Sequence, residues 1–197
     1  MIIERCDNNS NKTKTAKIEH KDIHLFLIID TSMSIGESGI TTTVHLISQI
    51  IDRLKKIEEE CLGCHIYIYD IVYSNYANWV GHTIPTPVKI YSLPELTAAG
   101  LSNIGSALSL MSSELKKIEQ KDKKIYFFIN DGNITDNESD RINEIYNYKN
   151  SEGFSILIGH NDKITSWDAI KLVRNIDNVY YTTELNTLME RFKRLLQ

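Results

Sequence analysis

From Ile23 onward the chain alternates between two hydrophobic periods. "IHLFLII" (23–29) is an unbroken apolar run of strand length, as expected for a strand covered on both faces. Behind it Ile40, Val44, Ile47, Ile50 or Ile51, Leu54 and Ile57 recur every three or four positions and fall on one face of a helix. "HIYIYDIVYS" (65–74), rich in β-branched and aromatic residues, predicts a second strand. The next segment, "NYANWVGHTIPTPVKIYSLP", contains three prolines and no helical period. It offers no crossover helix of the kind a parallel neighbour needs, so an antiparallel edge strand is expected at 88–91, beside prolines that an edge tolerates.

Ile104, Leu108, Met111, Leu115 and Ile118 then mark another helix, and "KIYFFI" (124–129) another strand. A helix over 138–150, a strand at "FSILI" (154–158), a helix over 166–175 and a strand at "NVYYT" follow. Leu185, Leu188, Met189, Phe192, Leu195 and Leu196 give the closing helix. Such alternation predicts an α/β fold: a doubly wound, mostly parallel, Rossmann-like sheet with one antiparallel edge strand and helices on both faces. Residues 1–22, with "NNSNKTKTAK", carry no period and read as a polar N-terminal tail, leaving 23–197 as one domain.

Composition narrows the function classes. The formal net charge of −4 and the scatter of Lys and Arg over polar helix faces argue against a nucleic-acid partner. Clusters such as "LKKIEEE" are solvated faces with charge pairs. The apolar runs are too short to span a bilayer, and "MIIERCDNNSNK" lacks the apolar core of a signal peptide, so no membrane contact and a cytoplasmic location are expected. Three cysteines do not make a disulfide framework; Cys61 and Cys64 form a single CxxC, read as helix-to-strand packing because a zinc site needs four ligands.

Ligands of such sheets bind beyond the carboxyl ends of the strands, at the switch in strand order. Asp30 ends the first strand and Asp131 follows the strand at 124–129; Ser32 and Ser34 lie in the loop after Asp30, and Ser102 lies just before a helix. Two carboxylates and three hydroxyls are hard oxygen donors, suited to Mg2+. Each has a plainer reading as a turn or cap residue. Thr135 and Asp136 are expected to cap the helix that follows them, His160 to be structural, and Tyr73, Tyr76 and Trp79 to pack or cover the edge.

The Asp30-x-Ser32-x-Ser34 pattern, Ser102 within "AAGLSNIGSALSLM" and Asp131-Gly132 together resemble the metal-ion-dependent adhesion site of von Willebrand factor type A domains. The resemblance covers 23–197, and "LPELTAAGLSNIGSALSLM" and "FFINDGNITD" look most like the bacterial TerY-like proteins of tellurium-resistance and stress-response loci. It implies that Ser32, Ser34 and Ser102 give hydroxyl oxygens to Mg2+ or Mn2+, with Asp30 and Asp131 bound directly or through water. It also implies that an Asp or Glu of a protein partner completes the coordination. For TerY-like proteins that partner would be a kinase or a metal-dependent phosphatase from the same locus. The family usually has Thr at the position of Ser102 and Gly at that of Met33. No general base stands beside a nucleophile in the sequence, so a non-enzymatic interaction module is expected. One alternative is a haloacid-dehalogenase-like phosphotransferase with Asp30 as nucleophile, which would need an acid where Ser32 stands. The other is a domain of this type with a vestigial metal site.

Overall fold

The computed structural model describes residues 21–61, 63–81, 84–136, 138–159 and 167–196. Seven strands form one sheet: β1 (Lys21–Asp30), β2 (Cys64–Tyr73), β3 (Ala77–Trp79), β4 (Thr86–Pro87), β5 (Lys123–Asn130), β6 (Ser151–Leu157) and β7 (Val179–Tyr181). Their order is β3-β2-β1-β5-β6-β7, with β4 also paired to β2. The long strands β1, β2, β5 and β6 and the short β7 run parallel, whereas β3 and β4 are antiparallel to β2.

Strand alternation divides the core between the two faces. Leu25, Leu27 and Ile29 of β1 point to one face, where they meet α1 (Gly36–Glu60) and α5 (Leu185–Leu195) through Ile47, Ile50, Leu54, Leu188 and Phe192. Phe26 and Ile28 point to the other, where α2 (Ile104–Leu115), α3 (Ser139–Tyr146) and α4 (Trp167–Val173) supply Leu108, Met111, Ile145 and Leu172. Because β1 is covered on both sides, its run is apolar without alternation. Truncating Leu27, fully buried at its centre, to Ala would cost about 2–5 kcal/mol.

The chain leaves β1 through α1 to β2 on one side, then crosses by α2 to β5 on the other side of β1. The switch in strand order therefore lies between β1 and β5, with Asp30 at one carboxyl end and Asp131 just past the other.

The antiparallel edge exists, but not at 88–91. Ala77–Trp79 and Thr86–Pro87 pair with β2, while Val88–Ile90 forms a 3-10 turn that buries Val88. These edge pieces are only three and two residues long, too short to print a period on the sequence. The second helix stops at Leu115, three residues before the last apolar position of its stripe. Lys21 and Asp22, assigned to the tail by their polarity, open β1 by pairing with Cys64 and His65; the rest of the tail lies outside the described residues. Cys61 and Cys64 are joined as a disulfide at the junction of α1 and β2, so the pair is a covalent link and not packing alone. His160 lies outside the described residues.

Candidate metal centre

β1 ends at Asp30, whose side chain is fully buried. Its Oδ1 accepts from the Ser32 N–H at 2.8 Å, a tight turn that bends the chain back over the strand end. Its Oδ2 accepts from the Ser102 hydroxyl at 2.7 Å, which ties the first loop to the segment before α2. Ser32 and Ser34 hydroxyls lie 3.0 Å apart. Thr31, between these ligand candidates, turns away: its hydroxyl donates to the Tyr73 carbonyl at 3.0 Å and its N–H to the same oxygen at 2.9 Å. The hydroxyls after Asp30 thus divide, with Thr31 fastening the loop to β2 and the serines turned to the cup.

Asp131 reaches the site from β5. Its Oδ1 accepts from the Asn133 N–H at 2.9 Å, and it lines with Ser34 and Asn133 a cavity of about 300 Å3. The residue before it, Asn130, is fully buried: its Nδ2 donates to the Ser155 hydroxyl at 3.1 Å and its Oδ1 accepts from Gly132 at 2.8 Å, anchoring the turn to the sheet. Ser32, Ser34 and Ser102 line a second, adjoining cavity of about 490 Å3. All five residues predicted from the sequence are therefore brought to one end of the sheet.

Burial raises the Asp30 carboxyl above its ordinary range; hydrogen bonds from Ser32 and Ser102 oppose the rise and the charge of Asp131 adds to it. Asp131 is itself buried, and among the described residues neither carboxylate has a cationic partner in an ion pair. Two buried acids without a countercharge are costly, and a divalent cation would supply what the chain does not. The donor set fits Mg2+ or Mn2+: two carboxylates, three hydroxyls and room for water. No group of three or more His, Cys, Asp or Glu occurs among the described residues, which removes a zinc-type ligand cluster there.

Two supporting residues act otherwise than their sequence positions suggest. Asp136 does not cap the helix after it. Its two oxygens accept from the Ile104 and Gly105 N–H groups at 3.1 and 2.7 Å, so it caps α2, more than thirty positions away in the chain. Thr135 donates to the Ser102 carbonyl at 2.6 Å. Both hold the Ser102 loop against the β5 loop. No local pattern marks such long-range capping. Tyr73, expected to pack, does so: it is fully buried beneath the cup, where burial and the nearby Asp30 push its hydroxyl well above its ordinary range. Trp79 is half-buried against Tyr69, whereas Tyr76 is exposed.

No protein-family model and no curated protein matches the chain. Solved structures do. Proximal thread matrix protein 1 from the mussel byssus aligns at 14% identity with a TM-score of 0.62, over 90% of this chain and 46% of its own, and one of its structures has a zinc-occupied MIDAS motif. A von Willebrand factor type A protein from Catenulispora acidiphila aligns at 14% identity with a TM-score of 0.60, over 90% of this chain and 42% of its own. Manganese-loaded TRAP protein of Plasmodium vivax aligns at 16% identity with a TM-score of 0.62, over 89% of this chain and 74% of its own. The chain spans less than half the length of the mussel and Catenulispora chains. Strand order, helix placement and these alignments agree: the chain has the von Willebrand factor type A fold.

Proposed function

We propose that this domain is a metal-dependent protein-interaction module. Asp30, Ser32, Ser34, Ser102 and Asp131 hold Mg2+ or Mn2+, and an Asp or Glu of a protein partner takes the remaining coordination position. The observation that carries the reading is the pair of buried carboxylates, Asp30 and Asp131, set among hydroxyls at the switch point with no ion-pair partner among the described residues. A bound divalent ion would balance the charges of Asp30 and Asp131, and the neutral hydroxyls, which add no further charge, would leave it a Lewis acid able to accept one more carboxylate. The chain's residues supply the rest. Ser102 and the Ser32 N–H orient Asp30, Asn130 fixes the Asp131 turn, and Asp136 with Thr135 sets the Ser102 loop. A zinc-occupied MIDAS motif in one named structure and manganese in another support divalent-metal binding by a domain of this fold.

The narrower assignment, to a TerY-like stress-response protein that meets a kinase or metal-dependent phosphatase in the cytoplasm, draws its support from the sequence motifs. No helix among the described residues is long and apolar enough to cross a membrane. Isothermal calorimetry with Mg2+ and Mn2+ on the wild type and on Asp30→Ala tests the core of the reading, with circular dichroism to verify folding. Binding by the wild type and none by the folded variant is expected. A folded wild type that binds neither ion overturns it.

A further inference from the structure

The cup has an apolar rim. Met33 and Leu101 are 73% and 66% exposed, and they flank the site on two different loops, next to Ser32 and Ser34 and next to Ser102. Both loops are fastened. The Met33 N–H donates to the Gly100 carbonyl at 2.9 Å, the Ala99 N–H to the Thr31 carbonyl at 2.7 Å, and the Leu101 N–H to the Asn75 Oδ1 at 2.8 Å. Gly100, at φ +76, lies so close over Asn75 that a Cβ would stand 2.8 Å from its Cγ. Two large apolar side chains are thus presented to solvent on backbone held from both sides.

Both line the cavity of about 490 Å3, together with Ser32, Ser34 and Ser102. Its accessible wall is mostly apolar, and no Lys or Arg among the described residues lines it. A bound metal would be its one positive charge, which suits a single carboxylate and not a polyanion such as nucleic acid. A carboxylate that arrived alone would leave Met33 and Leu101 in water.

We infer that Met33 and Leu101 read the residue beside the coordinating carboxylate. The site fits a protein segment in which an Asp or Glu has a bulky aliphatic or aromatic neighbour, the acid going to the metal and the neighbour into the groove between the two loops. This inference rests on the metal-centre reading and adds the class of sequence that the centre selects.

Fluorescein-labelled octapeptides with one central Glu, flanked by Leu or Phe in one series and by Ser in the other, are titrated with the full chain in Mn2+ and followed by anisotropy. The wild type binds the apolar-flanked series at least about tenfold tighter, as burial of one such side chain provides. In the double variant Met33→Ser, Leu101→Ser the preference falls below about threefold, while calorimetry finds the Mn2+ affinity unchanged and thermal unfolding finds the fold intact. Manganese binding with equal affinity for the two series, with no binding of either, or with a preference that survives in the double variant overturns the inference and leaves the metal centre standing. A wild type that does not bind Mn2+ overturns the metal centre, and the rim with it.

Discussion

The two ends of the sheet treat buried charge in opposite ways. At the amino end Lys124 is almost fully buried, yet its ammonium donates to the Glu119 carbonyl at 2.7 Å and the Asp122 carbonyl at 2.8 Å. His24 stands 3.6 Å from the Asp122 carboxylate and 2.9 Å from the Tyr69 hydroxyl, and burial lowers its basicity. Lys124 and His24 thus each have partners within the chain. At the carboxyl end Asp30 and Asp131 are as deeply placed and have hydroxyls and N–H groups around them but, among the described residues, no cation in an ion pair. The buried ammonium is fully hydrogen-bonded, whereas the buried acids are short of positive charge among the described residues, and on that contrast rests the proposal of a ligand at the carboxyl end and scaffold at the amino end.

The largest expected effect separates the ends by substitution. Asp30→Asn should lower Mn2+ affinity by more than the roughly 10–100-fold that loss of a supporting hydrogen bond costs at a metal site. Because it removes a buried charge while keeping the shape, it should leave the stability of the metal-free protein unchanged or raised. Lys124→Met should do the reverse, costing about 1–3 kcal/mol in urea denaturation because the buried Asp122 carbonyl and the part-buried Glu119 carbonyl lose their donor, with Mn2+ affinity unaltered. If Asp30→Asn destabilised the metal-free chain as much as Lys124→Met, the contrast between a ligand end and a scaffold end would be wrong.

Asp70 sharpens the comparison from the middle of β2. It is buried beside a cavity of about 410 Å3, accepts from the Tyr91 hydroxyl at 2.9 Å, and has its carboxyl raised to about 6 by burial, against the pull of that hydrogen bond. The folded state holds this proton more tightly than the unfolded chain, whose carboxyl titrates near 3.8, so the group's contribution to stability falls as pH rises from 3.8 through about 6 and is level above. Asp70→Asn should abolish that slope and stabilise the protein at pH 7 by about 1–3 kcal/mol. Urea titrations of both proteins at pH 4.5 and 7 check it, and a variant less stable than wild type at pH 7 refutes it. Asp70 is then a buried acid that differs from Asp30 in having no second carboxylate and no serine cluster about it.

How much of this was legible in the sequence depended on the range of the forces involved. Apolar runs and three-and-four stripes are local, so β1, β5, α1 and α5 could be placed from them, and the doubly wound order followed from their alternation. The five site residues could be named because each adjoins the end of such an element. The edge was misplaced because β3 and β4 are held by pairing with β2 and not by any pattern of their own. Asp136 was misassigned because its partners, Ile104 and Gly105, precede it by about thirty residues; the nearer helix offered a plausible local cap that the chain does not use. The burial of Lys124 had no sequence signal, since a lysine opening a strand reads as solvent-exposed until its two carbonyl partners are seen. The exposure of Met33 and Leu101 was hidden for the opposite reason, apolar residues being expected inside.

The smallest effect concerns the floor of the cup. Tyr73 ends β2 fully buried, and its hydroxyl lies within reach of Asp30 and Ser102 without a hydrogen bond of good geometry to either. An unpaired buried hydroxyl costs about 1–3 kcal/mol by protein substitution data, so Tyr73→Phe, which keeps the ring and its packing in the α2 face, should stabilise the chain by a part of that, about 1 kcal/mol. Metal affinity should change by less than about threefold, because the Ser32 N–H and the Ser102 hydroxyl continue to orient Asp30. Thermal unfolding and Mn2+ calorimetry on the variant decide it. A loss of stability together with weaker metal binding would mean that the hydroxyl is engaged after all, through a water to Asp30 or Ser102, and that the acids at the carboxyl end rest on one more fixed donor than the contrast between the two ends allows.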